Sequence, residues 1–273
     1  MENKDLVKYD SILDNQSKAI DYVRSNPDLV YYEYQNIQVP RVSKILDEAI
    51  GKNGLITWAA RVGYKKMNEI KDKALRVGSA THELIEEYLT TNKQPGAKIG
   101  YVSSKYDLDE RELESAITSF NNFKFWYDNF TSAGNTLEVI GLEVPVVCPW
   151  YGGTIDMIAN INGQNFIIDF KTSKQISMEY LLQTCSYAWM VNSGYCTICD
   201  KVEGIGILRF DKTNAYTYDE YFLNSAIPWQ ADMLNQHTRT FWSIVNSFYN
   251  LMYSKDLTYS EYDFTLKGDK DGK

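Results

Sequence analysis

The sequence has few of the residues that mark non-globular chains. Its 273 residues include only 4 cysteines, 6 prolines and 16 glycines. These counts exclude a disulfide-stapled miniprotein, a collagen-like repeat and a proline- or glycine-rich disordered chain. The sequence also lacks an internal repeat and a low-complexity linker. With 44% hydrophobic residues, the chain can bury one large core, and we expect a single domain over residues 1–273.

Positive charge is scarce as well. Lysine and arginine total 28 against 36 acidic residues, which gives a formal net charge of -8. Phosphate affinity comes from basic side chains that displace counterions, so this balance excludes a broad basic face for duplex DNA. Any contact with nucleic acid must be local. The densest basic stretch is residues 41–76, which carries nine basic and four acidic residues.

A secretion signal and a membrane span are missing from the pattern. The chain opens with Met1–Asp5, a polar and charged segment, where a signal needs basic residues followed by an apolar stretch. The uncharged stretch Tyr180–Cys199 is too rich in polar residues for a bilayer and predicts a buried helix followed by a strand. We therefore expect an intracellular, cytoplasmic protein without a membrane partner.

The four cysteines predict buried, reduced thiols, because disulfides are rare in proteins that are not exported. Cys196 and Cys199 form the one pair with metal-ligand spacing. Zinc and iron–sulfur sites need a second pair, which Cys148 and Cys185 do not supply. We expect no such site.

The spacing of apolar residues divides the chain into a helical front half and a mixed second half. Helical spacing predicts helices over 5–25, 43–75 with an internal break, 78–91 and 107–129, with an extended segment over 30–39. Alternation then predicts strands over 137–147, 152–160, 165–171, 202–210 and 215–223, with helices over 177–192 and 229–253. We expect a mainly helical region (1–130), an α/β core (135–225), a C-terminal helix (226–253) and a frayed tail (265–273).

One dipeptide predicts a hairpin with a defined register. Asn162-Gly163 suits a type I′ turn, in which both residues adopt positive φ. Pairing symmetrically about this turn places Asp156 opposite Asp169 and Thr154 opposite Lys171. Because side chains alternate along strands, those four share one face. The other face, which we expect to lie in the core, would carry Ile155, Met157, Ala159, Phe166, Ile168 and Phe170.

Two opposed aspartates need compensation, since like charges placed directly across a sheet are destabilising. A divalent cation held by both carboxylates supplies it, and Mg²⁺ takes oxygen ligands. The alternative is a solvated outer face of the hairpin, on which the charged residues contact only water.

Five elements in this order resemble the PD-(D/E)xK nuclease superfamily, specifically its RecB-like branch. They are Pro40-Arg41-Val42-Ser43, Gly78-x-x-x-His82, Glu143, Gly153-x-x-Asp156 with Asp169-Phe170-Lys171, and Gln183-x-x-x-Tyr187. The resemblance covers about residues 39–190, although Arg41 stands where the family usually has serine. It implies an α/β, restriction-endonuclease-like mixed central sheet flanked by helices, with a helical N-terminal region.

The resemblance also implies a role for each site residue. The metal ligands would be Asp156, Asp169, the main-chain carbonyl of Phe170, His82 and Glu143. The catalytic set would be Asp156, Asp169, Lys171, Gln183 and Tyr187, with Lys171 orienting water and stabilising negative charge. The implied cofactor is Mg²⁺ or Mn²⁺. Iron–sulfur members of the family carry a cysteine ahead of the histidine helix, and this chain has none before Cys148.

Several of these assignments have structural alternatives. Glu143 could be an ordinary exposed strand glutamate, and Gln183 and Tyr187 could belong to an ordinary packed amphipathic helix. A histidine among apolar residues is often a core residue, and His82 lies on the same helix face as Ile85 and Leu89. Glu86, four residues after His82, would orient that histidine or a metal-bound water, or would form a half-buried ion pair.

The basic stretch and the resemblance together indicate substrate contacts. The residues assigned to them are Arg41, Ser43, Lys44, Arg61, Arg76 and Tyr187. The aromatic residues Tyr31, Tyr32, Tyr34, Trp58 and Tyr64 are candidates to stack unpaired bases. Ordinary helix solvation and ordinary packing remain the alternatives for both groups.

These expectations give one leading hypothesis and two others. The leading one is a metal-dependent deoxyribonuclease, an exonuclease whose partner is DNA with single-stranded or free ends, in replication, recombination or repair. The second is a non-catalytic nucleic-acid-binding or recombination-partner module. The third, a paired-carboxylate glycosidase, is weaker because a lysine beside the aspartates suits phosphate better. Protein partners are left open by the sequence.

Overall fold

The computed structural model describes residues 17–50, 61 and 63–256. Within them the chain forms a mixed α/β fold with seven helices and a central five-stranded sheet. The helices are α1 (Ser17–Ser25), α2 (Val42–Ala49), α3 (Tyr64–Thr91), α4 (Gly96–Lys105), α5 (Glu110–Ser132), α6 (Met178–Asn192) and α7 (Pro228–Asp256). The strands are β1 (Tyr32–Tyr34), β2 (Ile37–Val39), β3 (Leu137–Val147), β4 (Gly152–Ile161), β5 (Gln164–Lys171), β6 (Gly204–Phe210) and β7 (Tyr218–Asn224).

The central sheet runs in chain order from β3 to β7. Three of its four pairings are antiparallel, while β5 and β6 are parallel because α6 carries the chain between them. This places β5 in the middle of the sheet. The short strands β1 and β2 form a separate hairpin, which an isolated bridge from Arg41 to Gly152 joins to the start of β4.

Helices cover both faces of the sheet. On one face, α3 and α5 pack aromatic and aliphatic side chains, such as Leu84 and Phe123, against Ile168 and Phe170. On the other face, α6 and α7 pack against Ile158 and Ile167 together with α1 and α2. Strands that are buried on both faces read as nearly continuous apolar runs, which explains Phe166-Ile167-Ile168.

The expectation that only one hairpin face lies in the core is therefore wrong. Ile158 and Ile167 lie two residues from Asp156 and Asp169, on the face expected to carry the charged residues, and are fully buried. Ile155 also departs from the predicted set, since it packs with Ile158 and Ile167 instead of with Met157. Alternation is interrupted there because the ladder between β3 and β4 skips Asp156.

The strands and the helices that flank them begin and end within a few residues of the predicted positions. Local sequence explains some of the ends. Asp109 caps α5 through a reciprocal pair of hydrogen bonds with Glu112, each 2.9 Å long. The predicted segment 30–39 is a hairpin, because Gln35 and Asn36 both adopt positive φ.

Two helix predictions were wrong. The predicted end of one helix at residue 75 and start of another at 78 do not occur, since α3 continues through Gly78 and is anchored by buried Val77 and Leu84. Helix α4, which follows Pro95, was not predicted at all. The predicted helical residues 5–16 and the predicted tail at 265–273 lie outside the described residues.

None of the helices in the described part of the chain combines the length and apolar character needed to cross a bilayer. All four cysteines are buried, as the sequence predicts.

We expect Gly204→Ala to destabilise the fold by about 1–3 kcal/mol, because overpacking a core costs that much. A Cβ atom at Gly204 in β6 would collide with the Phe166 ring and lie 2.5 Å from the carbonyl oxygen of Leu223. Urea denaturation measures the free energy of unfolding. The matched control is Gly100→Ala in α4, where a Cβ atom meets nothing within 4 Å. The control should be neutral or stabilising, by up to about 1 kcal/mol; equal losses in both variants would contradict this description of the sheet.

Candidate active site

The hairpin of β4 and β5 has the predicted register. Its ladder is symmetric about Asn162 and Gly163, which adopt φ of 51° and 85°. The last ladder pair is Met157 with Ile168, so Asp156 and Asp169 lie one step beyond it. Beyond this pair the Asp156 side chain, and not its main chain, bonds β4 to β5. Its Oδ2 accepts a 2.7 Å hydrogen bond from the Phe170 amide.

His82 of α3 reaches the same point from the helical layer. Its Nε2 lies 3.0 Å from the carbonyl oxygen of Phe170, and its Nδ1 lies 3.6 Å from Oδ1 of Asp156. When Nε2 carries the proton and donates to that carbonyl, Nδ1 is left as a lone pair that faces a carboxylate. Metal-binding histidines commonly have this arrangement, in which the second ring nitrogen donates to a carbonyl group.

Glu143 completes a group of three potential ligands. One ligand atom from each of His82, Glu143 and Asp156 lies within 4.8 Å of the others. Glu143 adopts φ of 47°, which is unusual for a residue within a strand and indicates local strain. Loss of hydration within the site, and then the charge of Asp156, raise the pKa of the Glu143 carboxyl, although the residue as a whole is exposed.

Asp169 lies beside this group and is only 3% exposed. Its Oδ1 accepts a 2.7 Å hydrogen bond from Lys171, while its buried Oδ2 has no hydrogen-bond partner among the described residues. Burial raises the pKa of Asp169 to about 6, with Lys171 opposing and Asp156 adding to the shift. A buried carboxylate oxygen without a partner is costly, so a cation is the group that fits here.

Lys171 belongs to a chain of polar contacts that continues into α6. Its Nζ lies 3.5 Å from Oε1 of Gln183, and Gln183 donates a 3.0 Å hydrogen bond to the Tyr187 hydroxyl. Burial disfavours the charged ammonium, but Asp169 and then Asp156 outweigh it and raise the pKa of Lys171. Tyr187 is only 4% exposed, so its predicted substrate contact gains no support; it contacts Gln183 instead.

Gly153 is required for this arrangement. A Cβ atom at position 153 would collide with the hydroxyl group of Tyr187 and lie 2.5 Å from its Cε1. The glycine of the Gly153-x-x-Asp156 motif therefore makes room for the tyrosine of the Gln183-x-x-x-Tyr187 motif.

The other five predicted substrate residues fall into two sets, those already in ion pairs and those exposed. Lys44 pairs with Glu48 at 3.0 Å and Arg76 pairs with Glu112 at 2.6 Å, so both charges are already compensated. The remaining three, Arg41, Ser43 and Arg61, are exposed.

Several aromatic and acidic candidates have defined surroundings. The Arg41 guanidinium lies over the ring of Tyr31, 4.5 Å from its centroid. Trp58 lies outside the described residues. Glu86 lines a cavity of about 300 Å³ together with His82 and Glu143, and it forms no ion pair with another described residue.

Sequence reasoning missed two residues near the site, Tyr180 and Lys212, and gave a third, Tyr32, a role in base stacking and not a contact at the hairpin. The Tyr32 hydroxyl lies 3.4 Å from the hydroxyl of Thr154, and Gly152 makes room for the Tyr32 ring. The Tyr180 ring centroid lies 4.9 Å from Nζ of Lys171. Its position three residues before Gln183 on α6 is a signal that could have identified it. Lys212 lines a cavity with Lys171, and no local pattern indicates that.

Comparisons with known proteins add little. No protein-family model and no curated protein matches the chain. Among solved structures, the chain is similar to one described as "Crystal structure of SSO0001", with 14% identity and a TM-score of 0.23. The match covers 59% of this chain and 85% of that one. A likeness this weak supports no conclusion about activity.

We expect Mn²⁺ to bind the wild-type protein and Asp156→Asn to weaken that binding at least about tenfold, because the substitution removes a carboxylate charge from the site. Asparagine retains an oxygen that can accept the hydrogen bond from the Phe170 amide, so the fold should persist. Isothermal titration calorimetry measures the affinity, and thermal unfolding checks the fold.

The matched control is Glu114→Gln, which removes an exposed carboxylate of α5. Its Mn²⁺ affinity should equal that of the wild type. Equal affinity in Asp156→Asn and Glu114→Gln would show that the ion binds elsewhere.

Proposed function

We propose that the protein is a metal-dependent deoxyribonuclease of the PD-(D/E)xK type that hydrolyses phosphodiester bonds. The finer assignment is a RecB-like exonuclease that acts on single-stranded DNA ends in replication, recombination or repair. The observation that carries the proposal is the buried Oδ2 of Asp169, which has no hydrogen-bond partner among the described residues. The other oxygen of Asp169 bonds to Lys171, and the charges of Asp156 and His82 act on the same carboxylate.

The donor set suits a hard divalent ion. Three carboxylates, from Glu143, Asp156 and Asp169, offer oxygen ligands of the kind that Mg²⁺ and Mn²⁺ prefer. His82 would add Nδ1, and the Phe170 carbonyl, which already accepts from His82, has a second lone pair. When bound, such an ion supplies Lewis-acid activation of water and of the phosphate.

Lys171 supplies the positive charge that phosphodiester hydrolysis needs beside the metal. Its ammonium group stays protonated because Asp169 and Asp156 outweigh the effect of burial on its pKa. A fixed cation in a buried site stabilises the additional negative charge that develops on phosphate during attack. Because Oδ1 of Asp169 holds Nζ of Lys171 at 2.7 Å, the same aspartate places the ammonium group next to the ion site.

Gln183 and Tyr187 act as positioning residues in this proposal. The Gln183 side chain links the Lys171 ammonium to the Tyr187 hydroxyl, and the Tyr187 ring is held in the core against Gly153. This connection limits the rotamers of Lys171, since the long lysine side chain would otherwise be flexible. A lysine fixed in this way needs no rearrangement when substrate binds.

We expect Asp169→Asn and Lys171→Ala each to lower the cleavage rate of a labelled single-stranded oligonucleotide at least about 100-fold. Reactions with Mg²⁺, with Mn²⁺ and with EDTA are compared on denaturing gels, after the circular dichroism of each variant has confirmed its fold. Labels at either end of the substrate report whether digestion begins at a terminus.

The chain offers a matched control in Asp200→Asn and Lys201→Ala, which make the same changes at exposed positions. Both controls should cleave at the wild-type rate. Undiminished cleavage by Asp169→Asn and Lys171→Ala would refute the site assignment. Binding without hydrolysis under every divalent metal would refute the enzymatic proposal and favour a non-catalytic module.

A further inference from the structure

A cavity of about 420 Å³ adjoins the candidate active site. One wall is a single face of α3, formed by residues that recur every three or four positions. These are Lys71, Ala74, Leu75, Gly78, Ser79 and His82. The opposite wall is formed by the end of β5 and the segment after it, together with one residue of α6 and Lys212. It comprises Phe170, Lys171, Thr172, Ser173, Tyr180 and Lys212.

The cavity extends well beyond the ion site. His82 and Lys71 are eleven residues apart on α3, which corresponds to about 16 Å along the helix. Of the four α3 residues that line the cavity between Lys71 and His82, all except Leu75 are small. At Gly78 a Cβ atom would lie 3.5 Å from Oγ1 of Thr172, so a larger side chain would fill the space between the walls.

Two side chains give the cavity an apolar lining. Leu75 is 65% exposed and lines this space. The Tyr180 ring lies on the other wall, close to Lys171. A flat aromatic ring and an exposed leucine beside a cationic site suit the face of an unpaired base, which stacks on such surfaces independently of its sequence.

Positive charge accumulates at the same cavity in spite of the net charge of -8. Lys71 and Lys212 line it, and Lys174 lies close enough to Lys212 to affect its charge. Within residues 17–50, 61 and 63–256, none of the three ammonium groups forms an ion pair. Partial burial lowers the pKa of Lys212, and Lys174 lowers it further, while the opposing Asp211 is itself bonded to Arg209 at 2.8 Å. This uncompensated charge suits an anionic chain.

We propose that this cavity binds single-stranded DNA next to the scissile phosphate, with a base against Tyr180 and Leu75 and backbone phosphates against Lys71 and Lys212. The inference rests on the proposed function, since it takes nucleic acid as the substrate. It assigns substrate binding to four residues, of which Lys71 belongs to the predicted basic stretch and Leu75, Tyr180 and Lys212 have no predicted substrate role. It also provides a physical reason for single-strand preference, because a paired base cannot present its face to a side chain.

The test is fluorescence anisotropy of a labelled oligothymidylate with EDTA present, so that binding is measured without hydrolysis. Tyr180→Ala should raise the dissociation constant about tenfold or more, since one stacked base contributes that much, whereas Tyr180→Phe should retain affinity. Leu75→Ser should also weaken binding, and the fold should persist because Leu75 is largely exposed. The control Tyr216→Ala removes an exposed tyrosine elsewhere and should bind as the wild type does.

The lysines are tested through salt dependence. The double variant Lys71→Ala, Lys212→Ala should reduce the slope of log K against log salt concentration by about 1.4, because each lysine that neutralises a phosphate of a single strand contributes about 0.7. The control Lys93→Ala, an exposed lysine just beyond the other end of α3, should leave the slope unchanged. Unchanged affinity and slope in the cavity variants, or equally tight binding of blunt duplex by the wild type, would overturn the inference.

Parallel cleavage reactions with Mn²⁺ separate the two proposals. Cleavage by the wild type with unaltered binding in the cavity variants would refute the cavity assignment and leave the nuclease proposal in place. Weakened binding in those variants without any cleavage by the wild type would support the cavity as a nucleic-acid site and refute the nuclease proposal.

Discussion

The candidate site depends on one buried carboxylate in the central strand of the sheet. Helices cover both faces of β5, and Asp169 is buried in that strand. The two oxygens of its carboxylate have different surroundings. Lys171 satisfies Oδ1, whereas Oδ2 has no hydrogen-bond partner among the described residues. An unsatisfied oxygen in a charged group costs several kcal/mol when it is buried. A divalent ion would remove this cost. The ligand atoms of His82, Glu143 and Asp156 lie within 4.8 Å of one another, and Asp169 adjoins them through Phe170, which hydrogen-bonds to both Asp156 and His82.

Core packing positions the site through Phe170. Its amide donates to Asp156 and its carbonyl oxygen accepts from His82, so one residue orients a ligand from β4 and a ligand from α3. The Phe170 side chain is buried among aromatic rings, with centroids 5.8 Å from Phe123 and 6.2 Å from Phe210. Because rings packed in this way have little freedom to shift, the core fixes the main-chain groups that hold both ligands.

Local patterns predicted most of the sheet and part of the site. Alternating residues and the Asn162-Gly163 turn predicted β4, β5 and their register, since a two-residue loop permits one pairing. The two covered faces could not be predicted from the hairpin, because burial depends on the helices that pack on each face of the sheet. Glu143 was assigned by resemblance, but its left-handed backbone depends on the irregular ladder with β4. Lys212 and Leu75 face the cavity only because segments distant in sequence meet there, and no spacing rule predicts such a meeting.

The most direct measurement is the anomalous scattering of Mn²⁺ in crystals of the wild-type protein. The nuclease assignment predicts a manganese peak at coordination distance, about 2.1 Å, from Oδ2 of Asp169, with an Asp156 oxygen as a second ligand. The contradictory result is a well-ordered site in which Oδ2 is bound only by water or by a protein donor, with manganese absent from it at saturating concentration. That result would mean that the buried aspartate serves the fold and not a metal.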